Sequence, residues 1–336
     1  MAKKEDFTEL VDLASERVGG SAVAANDEFF AGRENLVKPS KAVFREGEYT
    51  DRGKWMDGWE TRRRRQPGYD WCVVRLGLPG IPRGIVVDTA HFKGNFPEAC
   101  SLDAAEVNGN PDAAWLCGPE TSWIEILPRA VLEGDRENLF ALDGGRRFTH
   151  VRLNIFPDGG VARLRVYGTV VPDWERLARA GGDVDIAAVE NGGLVLAASD
   201  MFFGSRHNLI LPGSGRDMSD GWETRRRRGP GHDWAIVQLG RSGAIRRVEV
   251  DTAHFKGNAP GACSIEVTRA PGAAAEELSG AKHAWRELLA RTSLQPHALH
   301  RFERELEDAG EATHARLNIF PDGGVSRLRL FSRIAF

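Results

Sequence analysis

Short stretches in which apolar and polar residues alternate run through much of the chain, and this pattern predicts β-strands. Residues 235–239 and 245–250 are two such stretches, separated by a glycine-containing turn. Residues 315–320 and 326–331 are two more, and the Pro-Asp-Gly-Gly sequence at 321–324 favours a tight turn, so we expect a β-hairpin there. Many short strands with turns at intervals indicate an all-β fold, an antiparallel jelly-roll β-sandwich.

Helical periodicity is scarce. Apolar residues at helical spacing favour a helix over residues 276–290, where the two halves of the chain diverge, so we expect a helical insertion between strands. Asp173 is placed to cap a short helix that ends at Gly181-Gly182. The predicted fold class is therefore all-β with few short helices.

The chain contains an internal repeat. DGWETRRRR at residues 57–65 recurs at 220–228, DTAHFKGN at 88–95 recurs at 251–258, and RLNIFPDGGV at 152–161 recurs at 316–325. Two copies at so long a period indicate a tandem domain duplication, because a solenoid needs more and shorter units. We expect one β-sandwich at residues 1–172 and a second at 173–336. The first copy carries about ten extra residues before Asp57, which we expect to form a polar surface loop.

Composition and charge narrow the classes of function. The chain has 336 residues and a net charge of −3, so no global field attracts nucleic acid or an anionic membrane. It has no apolar run long enough to cross a bilayer, and residues 1–20 lack the apolar core of a secretory signal. The four cysteines lack metal-site spacing, which favours buried free thiols. We therefore expect a cytoplasmic protein with no nucleic-acid and no membrane partner.

The four consecutive arginines are the most distinctive feature of the repeat. In an extended chain Arg62 and Arg64 share one face, as do Arg225 and Arg227 in the second copy. Guanidinium groups match the planar shape of a carboxylate, which predicts a carboxylate clamp. A structural role stays open, in which these arginines pair with acidic residues of the same copy such as Asp70.

The DTAHFKGN segment offers groups that move protons and bind amides. Histidine titrates near neutral pH, so His91 is a candidate general acid or base, and Asn95 is a candidate partner for an amide-like ligand. A buried histidine held by the backbone is the structural alternative. Metal binding has weak support, because the segment supplies only Asp88-x-x-His91; a site completed from distant loops stays open.

At these segments the chain resembles the allantoicase family. DGWETRRRR, the GxDW that follows it, DTAHFKGN and RLNIFPDGGV each occur twice and in the same order, so the resemblance covers nearly the whole chain. It implies two jelly-roll domains of the galactose-binding-like type in a cytoplasmic homo-oligomer. It also implies hydrolysis of allantoate to ureidoglycolate and urea in purine and allantoin degradation. Tyr69 stands where the second copy has His232, which puts equal competence of the copies in doubt.

Allantoate is a carboxylate whose central carbon bears two ureido groups, and its hydrolysis needs a proton donor for the leaving nitrogen and a base for water. We therefore expect Arg62 or Arg64 to bind the carboxylate and His91 to move protons, with Glu60 as the alternative base. Ureido oxygens are assigned to Lys93 and Asn95. The equivalent residues of the second copy are Arg225, Arg227, His254, Glu223, Lys256 and Asn258.

No cofactor is expected, although a divalent metal is left open. The alternative function is a non-catalytic tandem module that binds a small molecule or a carbohydrate. We favour the enzyme, because carbohydrate modules are usually secreted and present aromatic residues, whereas the repeated segments here concentrate charge.

Overall fold

The computed structural model describes residues 6–109, 111–281 and 283–334. The chain divides into two compact units, with the division between Val171 and Pro172. Each unit is mostly β, and its helices are short. No helix in the described ranges is long and apolar enough to cross a membrane.

The first unit contains twelve strands and one short α-helix in its described part. The strands are β1 Val11–Asp12, β2 Ser21–Ala25, β3 Tyr49–Thr50, β4 Gly53–Lys54, β5 Trp59–Glu60, β6 Asp70–Asp88, β7 Ala99–Ala105, β8 Ile124–Val131, β9 Glu137–Ala141, β10 Phe148–Phe156, β11 Gly160–Val161 and β12 Arg163–Val170. The helix is α1, Ala113–Leu116, and single 3₁₀ turns cover Phe7–Glu9, Glu16–Val18 and Arg33–Val37.

The second unit repeats this strand order in its described part, without counterparts of β3 and β4. Its strands are β13 Asp183–Asp185, β14 Leu194–Ala198, β15 Trp222–Glu223, β16 Asp233–Asp251, β17 Ala262–Thr268, β18 Arg286–Ser293, β19 Leu299–Phe302, β20 Glu311–Phe320, β21 Gly324–Val325 and β22 Arg327–Arg333. Its helices are α2 Trp174–Ala180 and α3 Ala275–Ser279, with 3₁₀ turns at Val189–Asn191, Arg206–Ile210 and Met218–Asp220.

One long strand organises each sandwich. The first part of β6 pairs with β2 and β10, and its last part pairs with β12 and β9, so β6 passes from one sheet to the other. The strand order β1-β12-β6-β10-β7-β8 recurs as β13-β22-β16-β20-β17-β18. The all-β, two-sandwich fold class is confirmed.

The expected turn between residues 239 and 245 is absent, because β16 runs through it. The register of β16 against β20 shifts between Gln238 and Gly243, which marks an irregularity where the strand changes sheet. A Cβ at Gly240 would lie 1.8 Å from Asn191 O, so glycine is needed for close approach rather than for a turn.

The predicted hairpin of residues 315–331 is wrong in its pairing, although both strands exist. β20 pairs with β16 and β17, whereas β22 pairs with β16 and β13. The turn at 321–324 therefore carries the chain from one sheet to the other. A local turn signal shows that the chain changes direction, but it does not show which strand becomes the neighbour.

The predicted helix over residues 276–290 is also wrong beyond its first turn. α3 ends at Ser279, and Leu288 and Leu289 are buried in β18, which pairs with β17. Pairing over the sheet outweighs the local helical spacing. The short helix capped by Asp173 is confirmed, since the Asp173 side chain accepts from Arg176 N and Gly181 adopts a positive φ of 72°.

The extra residues of the first copy form the two-stranded β3–β4 ribbon on the surface. All four cysteines are free. Cys72, Cys100 and Cys263 are buried as expected, but Cys117 is exposed, because it follows the short surface helix α1.

Candidate functional site

The DGWETRRRR segment and three loops meet in the first unit. Glu60 N donates to Ala31 O at 3.1 Å, which fixes the loop after β2 against β5. Gly160 N donates to Asn95 O at 2.8 Å, which fixes the turn after β10 against the loop after β6. Because β5 also pairs with β11, these elements are held as one surface.

Alternation along this segment decides which side chains face outward. Trp59 and Thr61 are buried, whereas Glu60 is half-buried and Arg62 is exposed. Successive side chains of an extended chain point to opposite faces, so Glu60 and Arg62 project on the same side. A carboxylate and a guanidinium are thus presented together.

Arg62 is held by Asp27. Its Nε and Nη2 atoms each lie 2.7 Å from Asp27 Oδ2, and its guanidinium lies over the Phe29 ring at 5.3 Å. Burial alone raises the pKa of Asp27, but hydrogen bonds from the backbone N–H groups of Arg62 and Phe29 and from the guanidinium outweigh it, so this pKa lies below its usual range.

Glu60 is held by Asn95, whose Nδ2 donates to Glu60 Oε1 at 2.7 Å. Burial raises the pKa of Glu60 above its usual range, and the Asn95 hydrogen bond partly opposes this. A raised carboxyl pKa is suited to proton transfer near neutral pH. We call Asp27, Phe29, Glu60, Arg62 and Asn95 the Glu60 cluster.

The second unit has the same arrangement. Asp200, Phe202, Glu223, Arg225 and Asn258 form the Glu223 cluster. Arg225 Nε donates to Asp200 Oδ2 at 2.8 Å, and the guanidinium lies over the Phe202 ring at 5.3 Å. Asn258 Nδ2 donates to Glu223 Oε1 at 2.6 Å. Two segments of independent backbone reproduce one geometry, so it follows from the shared sequence.

The other arginines of each block divide into two kinds. Arg64 and Arg227 are half-buried and pair with the buried Asp70 and Asp233, as the structural alternative predicted. The remaining four are exposed, and no hydrogen bond or ion pair fixes them within the described ranges; they are Arg63, Arg65, Arg226 and Arg228. Arg62 and Arg225 are therefore both exposed and fixed, unlike the rest.

The DTAHFKGN segment is not extended beyond Asp88. His91 adopts a left-handed φ of 70°, with its N–H donating to Asp135 Oδ1 at 2.8 Å and Nε2 donating to Ala42 O at 3.2 Å. Lys93 is exposed, with its Nζ 3.7 Å from Asp135 Oδ2. The chain turns after Thr89, so residues 90–95 do not alternate between two faces as the residues of an extended strand do.

The second copy makes the same turn with different partners. His254 has a φ of 72°, its N–H donates to His297 Nδ1 at 2.7 Å, and its Nε2 donates to Gly215 O at 2.8 Å. Lys256 is exposed and has no ion pair in the described part of the chain. The histidine side chain is thus oriented alike in both units, whereas the lysine is not.

The structure brings some expected site residues together and separates others. Glu60, Arg62 and Asn95 share one cluster. Within the described ranges His91 makes no hydrogen bond or ring contact with them, and its ring lies against Ala42 and Phe44.

Asp27 and Asp200 precede pairs of phenylalanines, and this position in the sequence favours loop caps over site residues. Asp27 does accept from Phe29 N, as a cap does, but it also holds an arginine 35 residues away. Recurrence of the Asp-x-Phe spacing in both copies was the available signal.

Neither cluster has the composition of a metal site. In the described ranges, no group of three or more His, Cys, Asp or Glu side chains is arranged to hold a metal ion. A separate cavity of about 280 Å³ in the first unit is lined by residues outside the Glu60 cluster, including Pro82, Ile124, Leu142 and Phe148.

Comparison with known proteins decides the family. The allantoicase repeat model matches residues 11–171 and 184–335. A probable allantoicase 1 from Burkholderia mallei is 50% identical over 96% of this chain and 94% of its own length, and a probable allantoicase from Photobacterium profundum is 50% identical over 98% of both. The chain belongs to the allantoicase family. The crystal structure of the allantoicase from Saccharomyces cerevisiae covers 99% of this chain at 36% identity, with a TM-score of 0.82.

Family membership confirms the resemblance drawn from the repeated segments. The match of the allantoicase repeat to both halves agrees with the presence of one cluster in each unit. In this family context, the paired clusters are candidates for the part of each repeat that meets the substrate.

Proposed function

We propose that the chain is an allantoicase, which hydrolyses allantoate to ureidoglycolate and urea, with one site in each of the repeats at 1–172 and 173–336. Membership of the family supports the reaction. The observation that supports the site is the twinned cluster, in which a fixed, exposed arginine stands beside a half-buried glutamate.

The substrate carboxylate is assigned to Arg62 and Arg225. An arginine already fixed by an aspartate and an aromatic ring has less conformational freedom to lose on binding than an unfixed one. Arg64 and Arg227 are less suited, because each is half-buried and engaged by a buried aspartate.

Glu60 and Glu223 are assigned the role of general base. In Glu60, Asn95 engages Oε1, and no hydrogen bond within the described ranges engages Oε2, which is left for a water molecule. Water adds hydroxide to the central carbon, the bond from that carbon to one ureido nitrogen breaks, and the nitrogen receives a proton to leave as urea.

The proton donor is assigned to His91 and His254. Nε2 of each ring donates to a backbone carbonyl, so in the neutral ring Nδ1 carries the lone pair and takes up or delivers the second proton. Ureido oxygens are assigned to Lys93 and Lys256. Asn95 keeps one amide hydrogen and its carbonyl for the ureido group while it holds Glu60. Asn258 keeps its carbonyl, because its Nδ2 donates to Glu223 Oε1 and also to Met218 Sδ at 3.8 Å.

The remaining features of the proposal rest on membership of the family and not on the geometry of the two clusters. We propose a cytoplasmic homo-oligomer that acts without a nucleic-acid or membrane partner and needs no cofactor. Allantoate is a small-molecule substrate, so one cluster in each repeat is sufficient to contact it.

Variants of the two units test the site. Glu60→Gln with Glu223→Gln should lower kcat for urea release by about 10²–10⁴-fold, the usual contribution of a general base. His91→Ala with His254→Ala should also abolish turnover, and each single variant reports whether its repeat is competent alone. The control Glu106→Gln with Glu175→Gln removes two arginine-paired surface carboxylates and should leave urea release unchanged. Urea release within threefold of wild type in the glutamate double variant would reject the site.

A further inference from the structure

Asp27 uses both carboxylate oxygens to fix the arginine beside it. Oδ2 accepts from Nε and Nη2 of Arg62, each at 2.7 Å. Oδ1 accepts from the backbone N–H of Arg62 at 2.9 Å and of Phe29 at 3.1 Å. The aspartate thus fixes the backbone and the side chain of Arg62 at the same time.

The backbone of Asp27 is itself held by a buried side chain. The indole Nε1 of the buried Trp59 donates to Asp27 O at 2.8 Å. The second unit repeats the connection, since Trp222 Nε1 donates to Asp200 O at 2.8 Å. In each unit a buried tryptophan therefore fixes the aspartate, and the aspartate in turn fixes the exposed arginine.

The second aspartate makes the corresponding bonds to the two backbone N–H groups and to the arginine Nε. Asp200 Oδ1 accepts from the backbone N–H of Arg225 and of Phe202, both at 3.0 Å, and Oδ2 accepts from Arg225 Nε at 2.8 Å. Burial raises the pKa of Asp200, but these hydrogen bonds outweigh it and hold the pKa below its usual range. A lowered pKa favours the ionised form of both aspartates, which is the form that pairs with the guanidinium.

Asp27 occupies one edge of the Arg62 guanidinium, and this determines which edge can bind a ligand. A guanidinium can grip a carboxylate in two-point fashion through Nε and Nη2 or through Nη1 and Nη2. Asp27 takes the first edge of Arg62, and the Phe29 ring covers one face. No hydrogen bond or ion pair in the described ranges engages Nη1 of Arg62 or Arg225, and the two side chains are 64% and 66% exposed, which leaves the second edge for a ligand.

We propose that Asp27 and Asp200 are positioning residues that present the Nη1–Nη2 edge of Arg62 and Arg225 to the substrate carboxylate. This inference rests on the proposed function and adds the residue that sets the orientation of the anion-binding group. Asp27 and Asp200 do not touch the substrate. They act by removing, before binding, the rotational freedom that an exposed arginine otherwise loses on binding.

Replacement of the aspartates separates positioning from charge. Asp27→Asn with Asp200→Asn keeps an oxygen that accepts from the backbone N–H groups, so the loop is retained, but the guanidinium loses its ionic partner. Removing a negative charge alone strengthens anion binding, whereas loss of positioning weakens it. The two roles therefore predict opposite signs.

Binding is measured by isothermal titration calorimetry on the full chain with N-carbamoylglycine, which has one carboxylate and one ureido group, and with its uncharged primary amide. We expect the Kd of the carboxylate to rise about tenfold in the double variant. We expect the Kd of the amide to stay unchanged. With allantoate, KM should rise about tenfold while kcat stays within about twofold.

Three results overturn the inference: an unchanged or lower Kd for the carboxylate, an equal rise for both ligands, or no binding of the carboxylate by the wild type. The control Glu106→Gln with Glu175→Gln should leave the Kd of the carboxylate and the Kd of the amide unchanged. A wild-type chain that binds N-carbamoylglycine but releases no urea from allantoate rejects the proposed function alone. Calorimetry and the urea assay thus distinguish the two failures.

Discussion

A buried histidine in each unit makes the stability of the fold depend on pH. His150 lies in β10 and His314 in β20, and each is 2% exposed. Burial lowers the pKa of His150 to about 4, with a further contribution from the positive charge of Arg75. Burial also lowers the pKa of His314 to about 4, with a contribution from His283.

The sign of the effect follows from the lowered pKa. Above pH 6.5, the ordinary value, His150 is neutral in both the folded and the unfolded chain and makes no difference. As the pH falls below this value, the unfolded chain takes up a proton and the folded chain does not, so stability is lost until the pH reaches about 4. At pH 5 the loss is about 2 kcal/mol per histidine, from about 1.4 kcal/mol per pH unit.

His150→Gln removes the titration and retains a group that can hydrogen-bond to Thr149 Oγ1, which now lies 2.9 Å from the histidine Nδ1. The free energy of unfolding of the wild type minus that of the variant should be about 2 kcal/mol larger at pH 8 than at pH 5. Urea unfolding of the full chain with pulsed hydrogen exchange measures this on peptides from Phe148–Phe156. His314→Gln is the matched variant for the second unit. A difference that stays the same at both pH values would refute the reasoning.

Three further predictions concern the residues around the clusters. Asp57→Asn should cost about 3 kcal/mol of unfolding free energy in urea titrations, because it leaves the buried Arg163 without its carboxylate. Asn95→Ala should move the acid limb of kcat/KM to higher pH, because its hydrogen bond lowers the pKa of the base. Gly160→Ala should cost about 1–3 kcal/mol, since a Cβ would lie 2.0 Å from the Phe92 ring.

Further variants and the pH profile check these three predictions. Adding Arg163→Met to Asp57→Asn should restore part of the lost stability, and no recovery would contradict the buried-charge explanation. If Asn95→Ala leaves the pH profile of kcat/KM unchanged, the acid limb does not report the titration of Glu60. Gly94→Ala should have almost no effect on stability, because nothing lies within 4 Å of its Cβ position.

The repeated sequence predicts much of the fold, because each half must satisfy the same local patterns. Two sandwiches, their strands and the helix capped by Asp173 all follow from such patterns. Strand neighbours do not follow from them. The hairpin expected at 315–331 fails because β20 and β22 pair with different parts of β16, which only contacts across the fold determine.

The candidate site was predictable to the extent that it depends on neighbouring residues. The alternation that groups Arg62 with Arg64 agrees with the structure, in which an aspartate of the same unit holds each of them, whereas Arg63 and Arg65 have no ion pair in the described ranges. The role of Asp27 was not predictable in this way, because it depends on a contact over 35 residues. The turn at His91 was also missed, since a positive φ at a histidine is set by its hydrogen-bonded surroundings.

Hydrolysis of allantoate by the purified full chain tests the central claim most directly. Urea and ureidoglycolate are quantified over time, without added metal, for the wild type and for Glu60→Gln with Glu223→Gln. The account predicts equimolar urea and ureidoglycolate from the wild type and almost none from the double variant. Absence of urea from the wild type, or equal release by both proteins, would contradict it.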